Sequence, residues 1–140
     1  MSIIQVMDLT GNVIRTIPVP SYRSIYDITV DRDGLVCIDS NTSVYCYSLD
    51  GKLIWKFKKD DYTEDFRRVT TDNKGNIYAT NTSVNTVVVI YDKGQHQGKL
   101  LTGSDGINGP HGIFFDKKEN ILLVCNHDNG SVFLFDVKDK

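Results

Sequence analysis

The sequence repeats itself about every 40–45 residues, a period typical of arrays of small stacked units. "DITVDRDGLVCIDS" (27–40) aligns with "RVTTDNKGNIYATN" (68–81), and a third copy, "GIFFDKKENILLVCN", spans residues 112–126. The alignment places the aspartates of the three copies 41 and then 44 residues apart: Asp31, Asp72 and Asp116. In such arrays each repeat buries its apolar faces against its neighbours, so the repeat constrains the fold more than any single motif does.

Each repeat has the pattern of short β-strands. Runs such as "LVCI", "VYCYSL" and "LIWKFK" are rich in β-branched and aromatic residues and are separated by Asp-Gly or Asn-Lys-Gly turns. Glycine in these turns can take positive φ, and the aspartates can accept hydrogen bonds from the amides of their own turns. No stretch keeps helical periodicity. We therefore predict an all-β fold in which each repeat is a four-stranded antiparallel blade of a β-propeller.

Three segments carry a resemblance to a known family. "KGNIYATN" (74–81), "VVVIYDKG" (87–94) and "PHGIFFD" (110–116) resemble the repeats of NHL-type propellers, and the resemblance covers nearly the whole chain. It is nearest to the C-terminal NHL domain of tripartite-motif (RING-type) ubiquitin ligases, which implies a six-bladed ring that recruits substrate proteins or RNA. The sequence contains no Cys/His pairs or heptads. Any ligase activity would therefore belong to a longer parent chain.

The chain supplies about three and a half blades of such a ring. Residues 1–20 would form the outer strands of one blade, 24–62 and 66–106 two full blades, and 111–140 an incomplete blade. Because stacked units bury apolar faces against each other, an arc of this kind exposes such faces at both ends. We expect a fragment of a larger ring, with the remaining blades supplied by a longer chain or by a second copy.

Strict antiparallel alternation sorts the loops onto two faces, and we name the face where the first strand of each blade begins the top. Counting back from the repeated aspartates places Tyr26, Arg67 and His111 at equivalent top positions. Aromatic and cationic side chains dominate binding hot spots, and they also stack on the bases of single-stranded RNA. The candidate binding residues are Tyr26, Tyr62, Phe66, Arg67, Arg68, His111 and His127. They predict a protein substrate or a single-stranded RNA as partner, although the link "KKDDYTEDFRR" is equally typical of a solvated mixed-charge loop.

A metal-dependent enzyme is the alternative. Amidating lyases with NHL-like propellers use histidines from several blades to hold zinc, but His96 and His127 occupy other repeat positions than His111. Lactonase-like propellers hold calcium, but "DRDG" (31–34) lacks the further ligands and the glutamate of a calcium loop. We predict a non-enzymatic module with no catalytic residue, metal or cofactor, and keep a metal-dependent lyase or lactonase-type hydrolase as the alternative function.

Charge, cysteine spacing and the absence of long apolar runs in the sequence indicate the cellular compartment and the classes of partner. The net charge of −2 gives no global attraction to nucleic acid or to an anionic membrane. The three cysteines, Cys37, Cys46 and Cys125, show no paired spacing, which favours free thiols in a reducing compartment. The first residues do not resemble a secretory signal, and no apolar run approaches the length of a membrane span. We expect a cytoplasmic protein without a membrane partner.

Overall fold

The computed structural model describes residues 2–19, 25–32, 34–58 and 64–137. These residues form four antiparallel sheets, numbered 1 to 4 along the chain. Sheet 1 consists of β1 (Ser2–Met7) and β2 (Val13–Val19). Sheet 2 consists of β3 (Ile25–Asp31), β4 (Gly34–Asp39), β5 (Ser43–Tyr47) and β6 (Leu53–Lys58). Sheet 3 consists of β7 (Phe66–Thr71), β8 (Ile77–Asn81), β9 (Thr86–Tyr91) and β10 (His96–Leu101). Sheet 4 consists of β11 (Pro110–Asp116), β12 (Ile121–Asn126) and β13 (Val132–Asp136). Two single-turn 3₁₀ helices span Thr82–Val84 and Gly103–Asp105.

Each strand pairs with the next strand of its sheet, so every sheet is a meander. Sheets 2 and 3 have four strands, sheet 1 has two and sheet 4 has three. This confirms the predicted all-β fold, a partial β-propeller of antiparallel blades. The predicted blade limits at 20, 24, 62 and 140 lie outside the described residues and stay predictions.

The repeated aspartates hold the turns between the first and second strands. The Asp72 carboxylate accepts a hydrogen bond from the amide of Lys74 at 2.8 Å, and Asp116 accepts one from Lys118 at 3.0 Å. Gly75 has φ of +82°, a conformation that favours glycine. The turn chemistry expected from the repeat is therefore present, and it fixes where each second strand begins.

The core lies in three layers, one between each pair of successive sheets. Val36 and Ile38 of β4 are fully buried against sheet 3, whereas Leu35 and Cys37 of the same strand pack against sheet 1. A strand covered on both faces needs apolar residues at successive positions, which explains why the inner strands are continuously apolar. The equivalent layer between sheets 3 and 4 includes Phe115.

The first strands of successive sheets are joined directly. The amide of Val69 donates to the Asp27 carboxylate at 3.0 Å, and the amide of Phe115 donates to the Thr70 hydroxyl at 3.1 Å. These bonds cross from one sheet to the next and bring β3, β7 and β11 side by side. The beginnings of these strands therefore lie close together at the top.

The three cysteines are free thiols. Cys37 and Cys46 are buried in the core layers, and burial raises the pKa of the Cys37 thiol to about 12. Cys125 is half-buried because none of the sheets formed by the described residues covers its side of sheet 4. Within the described ranges, no helix has the length and apolar character needed to cross a membrane.

Candidate functional site

A groove of about 610 Å³ opens at the top, where loops of sheets 2, 3 and 4 meet. Five of the seven residues selected from the sequence line this groove: Tyr26, Arg67, Arg68, His111 and His127. The other lining residues are Thr82, Ser83, Asn85, Asn108, Gly109 and Asp128. We call this set of eleven residues the top groove.

Two selected residues are not among them. Phe66 is fully buried in the layer between sheets 2 and 3, with its ring centroid 6.2 Å from that of Phe57. Its proposed place on the surface is therefore corrected: the amide of Phe66 donates to the carbonyl of Asn41 at 2.7 Å, which seats the start of β7 against sheet 2. Tyr62 lies outside the described residues.

Arg67 is held over an aromatic ring at one wall of the groove. Its guanidinium carbon lies 5.3 Å from the centroid of the Tyr26 ring, and its Nε donates to the Asp65 carboxylate at 2.8 Å. The side-chain Nδ2 of Asn41 donates to the same Asp65 oxygen at 3.1 Å. This arrangement fixes the plane of the guanidinium and leaves the Arg67 side chain 45% exposed, so its remaining N–H groups can meet a ligand.

The Arg68 side chain donates hydrogen bonds to backbone carbonyls of both sheet 2 and sheet 3. Its Nη1 donates to the carbonyl of Arg67 at 3.0 Å and to the carbonyl of Tyr26 at 3.4 Å. The Arg68 amide donates to the Thr80 hydroxyl at 3.0 Å. Neither carbonyl carries a full charge, so the positive charge of Arg68 is not cancelled by these bonds.

Two histidines form the opposite wall. The rings of His111 and His127 meet edge to face, with centroids 5.3 Å apart and an interplanar angle of 90°. His127 Nδ1 lies 3.2 Å from a carboxylate oxygen of Asp128. Each imidazole nitrogen can donate or accept a hydrogen bond according to the tautomer, so this wall offers both kinds of group to a ligand.

Asparagines hold the loops that form the floor. At the end of β12, Asn126 accepts from the amide of Asn108 at 2.9 Å and donates to the carbonyl of Gly106 at 2.9 Å. Asn85, after the first 3₁₀ helix, accepts from the amide of Gly109 at 2.7 Å. These contacts join the link before sheet 4 to loops of sheets 3 and 4.

The asparagines that hold these loops follow a pattern in the sequence that the aromatic and charged residues do not share. An asparagine ends or follows the second strand of each repeat, at Asn41, Asn81 and Asn126. Asn81 accepts from the amide of Asp65 at 3.0 Å, as Asn126 does from Asn108. Since asparagine often bonds neighbouring backbone, its recurrence in top loops could have identified the residues that shape the groove.

The groove combines guanidinium, imidazole, hydroxyl and amide groups around one exposed aromatic ring. Among the residues that the structure describes, no three His, Cys, Asp or Glu side chains are placed to hold a metal ion. The arrangement suits contacts with an extended polar ligand that lies across three sheets.

No family model matches the chain. The chain is 33% identical over 100 residues to the E3 ubiquitin-protein ligase TRIM56 of Mus musculus, a match that covers 70% of the chain and 13% of TRIM56. The chain forms an arc of an NHL-type propeller. The chain thus spans only a small part of the length of TRIM56.

Solved propellers have the same fold. The chain superposes on the Cps50 (Swd1) β-propeller domain of Myceliophteria thermophila with a TM-score of 0.71 and 12% identity, covering 97% of the chain and 45% of that domain. A chain of the nidogen/laminin complex superposes with a TM-score of 0.68 and 20% identity, covering 80% of this chain and 44% of that one. A catalytically inactive virginiamycin B lyase from Staphylococcus aureus with quinupristin superposes with a TM-score of 0.67 and 15% identity, covering 96% of this chain and 48% of the lyase. The chain thus spans less than half of each of these solved chains, and the low identities relate them to it by fold alone.

Proposed function

We propose that the chain is a non-enzymatic binding module whose top groove recruits a ligand to a tripartite-motif ubiquitin ligase-like protein. The observation that carries the proposal is the convergence of Tyr26, Arg67 and His111, equivalent positions of three repeats, on one groove. The similarity to TRIM56 supports the ligase context. The free thiols support action in the reducing cytoplasm.

A protein segment with acidic side chains is the ligand that the groove favours. The guanidinium groups of Arg67 and Arg68 can each bind a carboxylate through two hydrogen bonds. Hydroxyl and amide side chains such as Ser83 and Asn108 can pair with peptide backbone groups. The carboxylate of Asp65 balances one of the two positive charges, which suits a ligand with few charges better than a polyanion.

Single-stranded RNA is a second candidate because of one feature. Tyr26 is 37% exposed beneath Arg67, and a guanidinium stacked on an aromatic ring offers a flat surface on which a base can stack. An RNA ligand would also contact Arg68 through phosphate, so its affinity would fall steeply with salt.

The proposal is tested with Arg67→Ala combined with Arg68→Ala. Fluorescence anisotropy would measure binding of two labelled probes, a pool of short acidic peptides and a pool of short random single-stranded RNAs. We expect the double change to weaken peptide binding about tenfold or more, as loss of a hot-spot arginine does. Lys117→Ala with Lys118→Ala removes two adjacent cations from a turn at the opposite end of the strands and should change nothing.

The two ligand classes give different results. RNA affinity and salt dependence that do not change in the double variant would dismiss RNA as the ligand of this groove. Peptide and RNA binding that both survive the double change would show that the top groove is not the binding site.

The enzyme alternative has a separate test. A metal-dependent lyase or hydrolase would contain zinc or calcium in stoichiometric amount, measurable by elemental analysis of the purified protein. Metal that is present in the native chain and lost in His111→Ala would overturn the binding-module proposal.

A further inference from the structure

Within the described part of the chain, sheet 4 has one covered face and one open apolar face. Ile113, Phe115 and Val124 pack towards sheet 3. The alternate positions face the other way, and there Phe114 and Leu134 are 59% and 65% exposed. The register pairs Leu123 with both of these residues, so the three form one contiguous apolar row across the sheet. We call this side of sheet 4, completed by Val132, Cys125 and Ile121, the leading face.

Sheet 1, at the other end of the arc, also has an open face. Ile4 and Ile17 pack against sheet 2. The alternate residues Ile3 and Met7 are 57% and 50% exposed, and Ile3 pairs in register with Pro18. We call this side of sheet 1 the trailing face. The exposed pair Gln5 and Thr16 lies between Ile3 and Met7 on the same side, so the trailing face is apolar at Ile3 and Met7 and polar at its centre. Exposed apolar surface on a protein marks a contact with another protein segment.

The contacts between sheets all have the same direction. Each sheet has one side that corresponds to the leading face and one that corresponds to the trailing face. In each of the three core layers, the leading side of the earlier sheet packs against the trailing side of the next sheet along the chain. The leading face of sheet 4 is therefore the next surface in the series, and the trailing face of the two-stranded sheet 1 is the open surface of the opposite type. Contacts between unlike faces of identical chains generate closed rings or open filaments, depending on the rotation at each contact.

The lengths of the solved propellers favour closure by two chains. Nearly the whole chain, 97% and 96%, superposes on 45% of the Swd1 propeller and 48% of the lyase. Two copies thus match about one complete propeller. We propose that a second copy of this chain covers both open faces, with the leading face of each copy packed on the trailing face of the other. This contact does not depend on the function of the top groove.

The first test is the mass of the 140-residue chain in solution. Light scattering after size exclusion should give twice the chain mass of 15.8 kDa at high concentration and a reversible fall towards one chain mass on dilution. A monomer at every concentration would overturn the proposal. Masses that rise without limit would also overturn it, because they indicate open filaments or non-specific aggregation.

Substitutions on the two faces identify the contact. Leu134→Asp and Ile3→Asp each place a charge in the proposed interface, and each should weaken pairing about tenfold or more. Both side chains are more than half exposed in the single chain, so both variants should fold, which circular dichroism checks. Ile54→Asp is the matched control, since Ile54 is 43% exposed on β6 and belongs to neither face. Equal weakening by the control would overturn the assignment.

Mixing the two variants tests the head-to-tail arrangement. Either variant alone carries a substitution in both contacts of a pair. A mixed pair concentrates both substitutions in one contact and leaves the other contact native, so mixing should restore pairing. A symmetric contact between two leading faces would instead leave Ile3→Asp fully paired, and that result would refute the arrangement.

Cys125 gives an independent measurement of coverage. It lies on the leading face and is half-buried, while Cys37 and Cys46 are buried in the core layers. One thiol per chain should therefore react quickly with a thiol reagent when the chain is dilute, and its rate should fall as pairs form. A rate independent of concentration would overturn the proposal.

Discussion

Replacing Phe66 with alanine should remove a large part of the stability of this chain. The ring is fully buried between sheets 2 and 3. Loss of the transfer free energy of a side chain of this size costs about 2–3 kcal/mol. The cavity that remains raises the cost of a Phe-to-Ala change in a core to about 3–5 kcal/mol. A typical domain is stable by only about 5–15 kcal/mol, so Phe66→Ala should unfold at a much lower urea concentration.

Trp55 makes the measurement direct, because it packs against the same core layer and is the only tryptophan in the sequence. Urea unfolding followed by its fluorescence should show a lower midpoint at unchanged slope. Phe66→Leu, which keeps most of the volume, should cost less than about 1.5 kcal/mol. Tyr91→Ala, an aromatic truncation at an exposed site, should cost about 0.5 kcal/mol or less. A loss below about 1 kcal/mol for Phe66→Ala would refute the core position and return Phe66 to the surface.

Three further changes probe the contacts between sheets. Gly94→Ala should destabilise the chain by about 1–3 kcal/mol in the same assay, because the new Cβ would lie 2.6 Å from the Trp55 ring at a φ of +82°. Thr70→Val should cost about 1–3 kcal/mol, since it leaves the buried amide of Phe115 without its acceptor, and Thr70→Ser should restore most of the loss. The stability contributed by neutral Cys37 should be complete below pH 9 and be lost as the pH rises towards 12, because burial raises its pKa from 9.0 to about 12. Unfolding measured across this range should show a smaller alkaline loss in Cys37→Ala, and an equal loss would contradict the assignment.

The fold could be predicted from the sequence because the repeat fixes two things at once. The aspartates recur at turn positions, where Asp72 and Asp116 now bond their own turn amides. Since strands alternate in direction, a fixed turn also fixes which loops share an end. Tyr26, Arg67 and His111 occupy equivalent positions before these turns, and they therefore line one groove.

The placement of Phe66 could not be predicted by the same counting. The register of β7 and β8 shifts between Phe66 and Val69, and such an irregularity changes the side to which neighbouring side chains point. Arg67 and Arg68 are consequently both exposed, while Phe66 turns inward beneath them. Strict alternation predicts neither result, because the shift depends on pairing with a strand further along the chain.

The groove and the end faces make different demands on the same repeat. Contacts that join the sheets, such as that of Thr70 with the Phe115 amide, set the backbone, while the equivalent positions Tyr26, Arg67 and His111 vary in chemistry on that fixed geometry. If two chains close one ring, the pair presents two copies of the top groove at a fixed separation. A ligand with two binding segments would then gain effective concentration from pairing alone. Leu134→Asp should therefore weaken binding of a two-segment ligand while leaving a single segment unaffected, whereas the Arg67 and Arg68 double change should weaken both.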